Sequence, residues 1–359
     1  MKIAFLHMYM GIIDRGSEIV TSDLANKLAI NNEVTVFQSG KAKGTESYKI
    51  KRIPIMLDWK KKSLSGTIWE KLLINYWEMK VMFFTLKAVP VILKEKFDIV
   101  IPINGTWMSF IVRFITRLYG GKMIITGHAG MGWDDQINLK SKPNVFVALS
   151  PAARRWAENI NPKAKIVYIS NGIDISKFSP TGPKFKISLK KPIVLCVSAL
   201  APAKRVDLII KAVSKMESAS LLVVGDGELK SEVSKLGTDL LRGRFKLISV
   251  PFEKMPSIYR SCDVFTNSSI SQISFERVIV EAMASGLPVV ANNDEIRKMI
   301  VGKAGYLVDP LDSDRYAFLL MKTLNKKWGN IPNEQASKFT LDRTVKSYEN
   351  LFNKLVKNA

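Results

Sequence analysis

Short apolar runs recur along the chain, each followed by residues with helical spacing. Residues 3–6, 34–37, 99–103, 123–126 and 145–149 are such runs in the first half, and 18–29 carries the periodicity of an amphipathic helix. Residues 193–197, 221–224, 245–248, 264–266 and 288–291 repeat the arrangement in the second half. Strands apolar on both sides and separated by helices form a parallel sheet covered on both faces. The expected fold class is therefore α/β, with two doubly wound domains. Asn171-Gly172 is a turn signal, and Ser179-Pro180-Thr181-Gly182-Pro183 reads as a linker. Domains are expected over 1–175 and 185–335. A final segment, 336–359, has a helical stripe of Val345, Tyr348, Leu351, Phe352 and Leu355, and is expected to pack back toward the first domain.

Composition narrows the class. At 359 residues with 47% hydrophobic and 24% charged residues, the chain is globular and long enough for two cores. Two cysteines, Cys196 and Cys262, cannot build a disulfide framework or a four-ligand zinc site; both fall in strand-like runs and read as buried thiols. Two histidines, His7 and His128, leave no His-based metal site. Residues 1–7 read as a first strand, not a signal peptide. No apolar run reaches the roughly 18–20 residues that span a bilayer. The expected location is the cytoplasm, with peripheral attachment at the inner face of a membrane. The net charge of +22 is spread evenly, +12 over residues 1–180 and +10 over the remainder. Such a field suits nucleic acid, an anionic membrane or phosphorylated substrates, and charge alone does not choose.

Three stretches carry candidate chemistry. Val224-Gly225-Asp226-Gly227 ends a strand in a tight turn at the sheet edge where ligands bind; an ordinary strand-to-helix turn fits equally well. No Gly-x-Gly-x-x-Gly follows a strand, which counts against a dinucleotide site. Lys204-Arg205 follows a strand and a proline-bearing loop, where cations can neutralise a diphosphate or stand as a solvated pair. Residues 274–291 read as a helix stopped near Gly286 and a strand entered through Pro288. The start of that helix can seat phosphate. Glu281 lies on its otherwise apolar surface and needs partners, either ribose hydroxyls or a salt bridge.

The run 281–291, the Lys204-Arg205 loop, the Gly225-Asp226-Gly227 turn and Ile169-Ser170-Asn171-Gly172-Ile173-Asp174 together resemble the family-four retaining glycosyltransferases, glycosyl transferases group 1. The likeness is strong over about 145–312. It is looser at Gly16-Ser17-Glu18 and at Thr126-Gly127-His128-Ala129-Gly130. It implies the GT-B architecture, two Rossmann-like domains facing a central cleft, the second holding a nucleotide-sugar donor such as a UDP-, GDP- or ADP-sugar. It further implies that Lys204 and Arg205 hold the diphosphate, that Glu281 binds ribose, and that amides near Phe275, Glu276, Arg277 and Val278 meet phosphate. Gly16 and Ser17 would approach the diphosphate, and His128 would sit beside the sugar. His128 and Glu276 are the catalytic candidates, and no metal or other cofactor is implied. The implied acceptor is a carbohydrate or lipid-linked glycan.

Two positions depart from the family pattern. Its glutamate eight residues before the ribose glutamate is Ile273 here, and its common arginine falls at Ala199. Glu276 lies three residues after the first of these positions. A donor-binding protein with impaired chemistry is therefore an alternative, as are a sugar-nucleotide epimerase and, on charge alone, a nucleic-acid binder; no specific nucleic acid is expected. Asp312-Ser313-Asp314 reads as helix capping, Asp134-Asp135 as a solvated turn, and His7 as a packed neutral imidazole. Residues 69–96 form an amphipathic pattern with Lys71, Lys80 and Lys87, preceded by Trp59 and Lys60-Lys61-Lys62. It reads as a helix covering the sheet, or as one that also meets an anionic membrane.

Overall fold

The computed structural model describes residues 1–13, 15–58, 74–270 and 275–357. The chain divides into two compact units, Met1–Asn171 with Asp342–Ala359, and Gly172–Leu341.

The first unit opens with β1 (Lys2–Leu6), α1 (Gly16–Leu28), β2 (Glu33–Gln38), β3 (Lys49–Arg52) and α2 (Tyr76–Glu95). It continues with β4 (Ile99–Pro102), α3 (Thr106–Tyr119), β5 (Lys122–Thr126), α4 (Trp133–Lys140), β6 (Val145–Ala148), α5 (Pro151–Ile160) and β7 (Ile166–Tyr168). The strands form one parallel seven-stranded sheet in the order β3-β2-β1-β4-β5-β6-β7. Helix ends follow local chemistry. The Asn75 side chain accepts from the amides of Trp77 and Glu78 to start α2, and Ser150 accepts from Ala153 to start α5, with Pro151 at its first position. One side of the sheet packs Ala4, Leu6, Val100 and Ile125 against Phe84 and Ala88 of α2 and Met108 and Val112 of α3. Burying each large apolar side chain contributes about 1.5–3 kcal/mol.

The second unit runs β8 (Ile193–Val197), α6 (Val206–Ser214), β9 (Ser220–Val224), α7 (Lys230–Leu241), β10 (Phe245–Ile248), α8 (Met255–Tyr259) and β11 (Val264–Asn267). Then come α9 (Arg277–Ala284), β12 (Val289–Asn292), α10 (Glu295–Val301), β13 (Gly305–Val308), α11 (Ser313–Leu324) and α12 (Ile331–Ala336). Its parallel six-stranded sheet has the order β10-β9-β8-β11-β12-β13. The closing helix, α13 (Leu341–Lys357), belongs to the first unit from Asp342 onward. Its stripe of Val345, Tyr348, Leu351, Phe352 and Leu355 is buried. Tyr348 Oη and Thr126 Oγ1 lie 2.9 Å apart, and the Thr344 hydroxyl donates to the Ser170 carbonyl at 3.0 Å.

Several expectations change. Helix α1 starts at Gly16, so Gly16 and Ser17 form its first turn and not a loop. Cys262 is buried in the turn ahead of β11, not in a strand. Strands β3, β7 and β13 are additions at sheet edges. The amphipathic stretch expected over 69–96 becomes α2 from Tyr76; Trp59, the lysines 60–62, Trp69 and Lys71 lie outside the described residues.

Candidate functional site

In the second sheet the order in which strands are added reverses between β8 and β11, and ligands of open α/β sheets bind in the crevice at the carboxyl ends of the strands at such a switch point. The β8 loop enters it under tight control. A Cβ on Gly225 would lie 1.8 Å from the Ser198 carbonyl oxygen, and Gly227, at φ +157°, backs onto Leu200. Leu200 N–H donates to the Asp226 carbonyl at 2.9 Å, and Leu229 N–H to the Leu200 carbonyl at 3.0 Å. The Gly225-Asp226-Gly227 turn is thus a backbone seat for the loop that carries the cations, and the protein alone explains its glycines.

Lys204 ends a short 3-10 turn, and Arg205 follows in the left-handed region at φ 46°. The Ser268 hydroxyl lies 3.0 and 2.8 Å from the Lys204 and Arg205 carbonyls, while Arg205 Nε donates to the Ser268 carbonyl at 2.9 Å. The loop after β11 therefore clamps both cations at the crevice. Lys204 Nζ reaches Glu276 Oε1 at 2.7 Å.

Glu276 occupies the N-cap position of α9 but makes no side-chain cap there. Its carboxylate accepts from Ser269 Oγ at 2.6 Å and lies 3.0 Å from Arg297 Nη2, with Arg297 fully buried and also 3.3 Å from Asp294. Burial pushes the Glu276 carboxyl up, but Arg297 and Lys204 outweigh it and hold the group at about 2. Glu276 is therefore an ionised brace that orients Lys204 and not a proton donor near neutrality.

Glu281 lies farther along α9 and is also buried. The Tyr259 hydroxyl donates to its Oε2 at 3.0 Å, and Arg277 Nε stands 3.8 Å from its Oε1. The salt-bridged alternative for Glu281 is thus realised. Phe275 is buried against Phe339, ring centroids 5.5 Å apart, and Val278 is half-buried. Phe275 thus anchors the start of α9 through side-chain packing.

Within the first unit, His7 at the end of β1 is fully buried, 3.6 Å from Glu18. Burial, and secondarily repulsion from His128, holds it at about 3, so the imidazole is neutral as expected. Glu18 also accepts from Ser17 Oγ at 3.1 Å and from the Arg15 amide at 3.2 Å, fixing the first turn of α1. Gly16 is exposed, and a Cβ there would meet nothing within 4 Å. Among the described residues no atom demands glycine at 16.

His128 is half-buried on the loop after β5. That loop is tied down by Asp135, which corrects the solvated-turn expectation. Asp135 is buried on α4, accepts from the Gly130 amide at 3.0 Å and from Asn138 Nδ2 at 3.1 Å, and burial pushes its carboxyl up to about 7. Asn138 Oδ1 in turn accepts from the Thr106 amide at 3.0 Å. The pair thus staples the loops after β4 and β5 to one helix. Asp312 does cap a helix, accepting from the Arg315 amide at 2.9 Å, and Asp314 pairs with Lys215.

Sequence reading missed Ser269, Tyr259, Arg297, Asp135 and Asn138. Arg297 had a signal: a cation beside Ile296, Ile300 and Val301 on a short helix belongs on its buried side. Among the described residues, no three His, Cys, Asp or Glu side chains gather as a metal site would require. A depression of about 880 Å³ lined by Lys2, Asn31, Glu33, Lys94 and Asp98 opens at the opposite, amino edge of the first sheet, and we assign it no role.

Comparison with known proteins matches residues 15–177 to the Glycosyltransferase Family 4 model and residues 191–326 to the Glycosyl transferases group 1 model. A GDP-mannose-dependent monoacylated alpha-(1-6)-phosphatidylinositol monomannoside mannosyltransferase of Corynebacterium glutamicum is 25% identical over 48% of this chain and 50% of its own length. The match thus spans about half the length of that relative. An uncharacterised glycosyltransferase of Methanocaldococcus jannaschii is 28% identical over 79% of both chains. Anabaena HepE, solved in complex with UDP and glucose, superposes with a TM-score of 0.77 over 98% of this chain and 99% of its own, at 19% identity, which shows the fold. With both halves matched in order and the GT-B fold in place, the chain belongs to the family-four glycosyltransferases.

Proposed function

We propose that the chain moves a sugar from a nucleotide-sugar donor to a hydroxyl of a lipid-linked or polysaccharide acceptor, with retention and without a metal. One observation carries this reading: Lys204 and Arg205 are fixed at the switch-point crevice of the second unit, beside the amino end of α9. Cations and helix amides at that point suit a diphosphate leaving group. In the proposed step the bond from the anomeric carbon to the diphosphate oxygen breaks. The acceptor oxygen bonds to the same face of that carbon, and the acceptor proton passes to the departing phosphate oxygen. The residues then have distinct roles. Glu276 orients Lys204, Glu281 binds ribose in exchange for part of its protein contacts, and Gly16 and Ser17 offer an open first turn to the donor. His128 handles the sugar. The lipid-linked acceptor draws on the C. glutamicum relative, whose name specifies a phosphatidylinositol mannoside.

The test is donor binding followed by turnover. UDP-, GDP- and ADP-sugars are screened by thermal shift, since a bound ligand raises the melting temperature. Lys204→Ala is expected to weaken the preferred donor about tenfold or more, the scale of a lost charge-assisted contact, while binding of the free nucleoside is unaffected. Equal losses for both ligands would remove the diphosphate assignment. A second reading, donor binding with impaired transfer, is favoured by isoleucine at 273 and alanine at 199, the two departures from the family pattern. It is supported if the preferred donor binds tightly yet neither transfers to a broad acceptor panel nor hydrolyses.

A further inference from the structure

Helices α2 and α3 lie side by side and share one core cluster on the same side of the first sheet. Their opposite faces therefore form one outer layer. That layer is apolar where an ordinary surface helix is polar. It presents Phe83, Leu86 and Leu93 from α2, and Phe110, Phe114 and Leu118 from α3, with Phe114 64% and Leu118 62% exposed. The spacing of 110, 114 and 118 puts the α3 side chains on one stripe. Clustered exposed apolar side chains of this size mark a surface that meets something.

The exposed charges on this part of the two helices have one sign. Lys87 and Arg117 are exposed, while Lys94 stands apart near Glu33 and Asp98 at the amino edge of the sheet. Helix α3 contains no acidic residue. The two acids of α2 are engaged elsewhere: Glu78 takes the hydroxyl hydrogen bond of Thr106, and Glu95 lies 3.5 Å from Lys51. A second copy of the chain would bring like charges together on this face. A nucleic acid would answer the cations but leave a leucine and phenylalanine stripe without a partner. An anionic bilayer answers both, with phosphates at the level of the cations and acyl chains below. Among the described residues no helix is long and apolar enough to cross a membrane, so this contact would lie in the interface plane.

We propose that the outer face of α2 and α3 is the docking surface for an anionic lipid bilayer. Phe114 and Leu118 enter the headgroup boundary, and Lys87 and Arg117 meet lipid phosphates. The inference rests on the lipid-linked acceptor proposed above, and names the face by which the chain reaches it.

Co-sedimentation of the full chain with phosphatidylcholine vesicles, with and without phosphatidylglycerol, tests it. Binding is expected only when phosphatidylglycerol is present. The Phe114→Ser/Leu118→Ser variant should lose about tenfold or more in partitioning, since burying apolar area supplies much of interfacial binding. Lys87→Glu/Arg117→Glu should lose as much, together with the salt dependence. A control with the same charge change outside the proposed face, Lys235→Glu/Lys327→Glu, should stay within about twofold, because it leaves the cations of α2 and α3 in place. An equal loss in the control would show that net charge alone drives binding. Unchanged binding of the serine variant would likewise overturn the assignment, as would a wild-type dimer that the serine variant abolishes. Donor-induced thermal stabilisation is measured in parallel. Donor binding without vesicle binding removes this inference alone, whereas absence of donor binding removes the transferase reading.

Discussion

At the scale of single residues, buried charge decides most of what distinguishes this site. Arg297 is fully buried between Glu276 and Asp294, so its loss leaves carboxylates in a dry setting. Arg297→Met is expected to cost about 3 kcal/mol, the lower end for breaking a buried pair, because Lys204 and Ser269 still serve Glu276. Adding Glu276→Gln to that variant should recover part of the loss. Urea denaturation measures both, and a cost under about 1 kcal/mol would mean the brace is weak. Asp135 acts in the opposite sense. Its folded carboxyl titrates at about 7, above the ordinary aspartate value near 3.9. The folded state keeps a proton that the unfolded chain releases, so this group's contribution to stability falls as pH rises from about 4 to 7. Asp135→Asn should flatten that slope, visible as a change in the urea midpoint across the same window. A slope identical to wild type would place the titration elsewhere. These pairings were only partly legible beforehand. Glu281 announced itself as a carboxylate on an apolar helix, but Asp135 looked like a loop residue because nothing in Trp133-Asp134-Asp135 signals which carboxylate turns inward.

At the scale of elements, central strands were legible and edge strands were not. Leu221–Val224 and Val289–Ala291 are buried on both sides and read as continuous apolar runs. By contrast β3, Lys-Ile-Lys-Arg, is largely exposed at the end of its sheet, and its pattern resembles a loop. Glycines illustrate the same division. Gly225→Ala must displace the Ser198 carbonyl and is expected to cost about 2 kcal/mol or more, with donor affinity falling because the Lys204 loop shifts. Gly16→Ala meets open space. It should leave stability within about 0.5 kcal/mol, so any loss of donor affinity there reports on the ligand. Melting curves with and without donor separate the two variants; a large stability loss in Gly16→Ala would contradict the open first turn.

At the scale of the whole molecule, a net charge of +22 repels itself at low ionic strength. Raising salt from about 0.05 to 0.5 M shortens the Debye length several-fold and should raise the melting temperature by a few degrees; a fall on adding salt would show that paired charges dominate instead. The sequence by itself determined the α/β class, the two sheets, the family, and the positions of the cation loop and of α9. Those features are written in local periodicity and in motifs whose residues are neighbours in the chain. Only the tertiary structure decided that Glu276 braces Lys204, that Asp135 holds the His128 loop, and that the exposed stripes of α2 and α3 form one layer. Each of these joins side chains from separate elements, and a burial set by strand order leaves little trace in the local pattern that it governs.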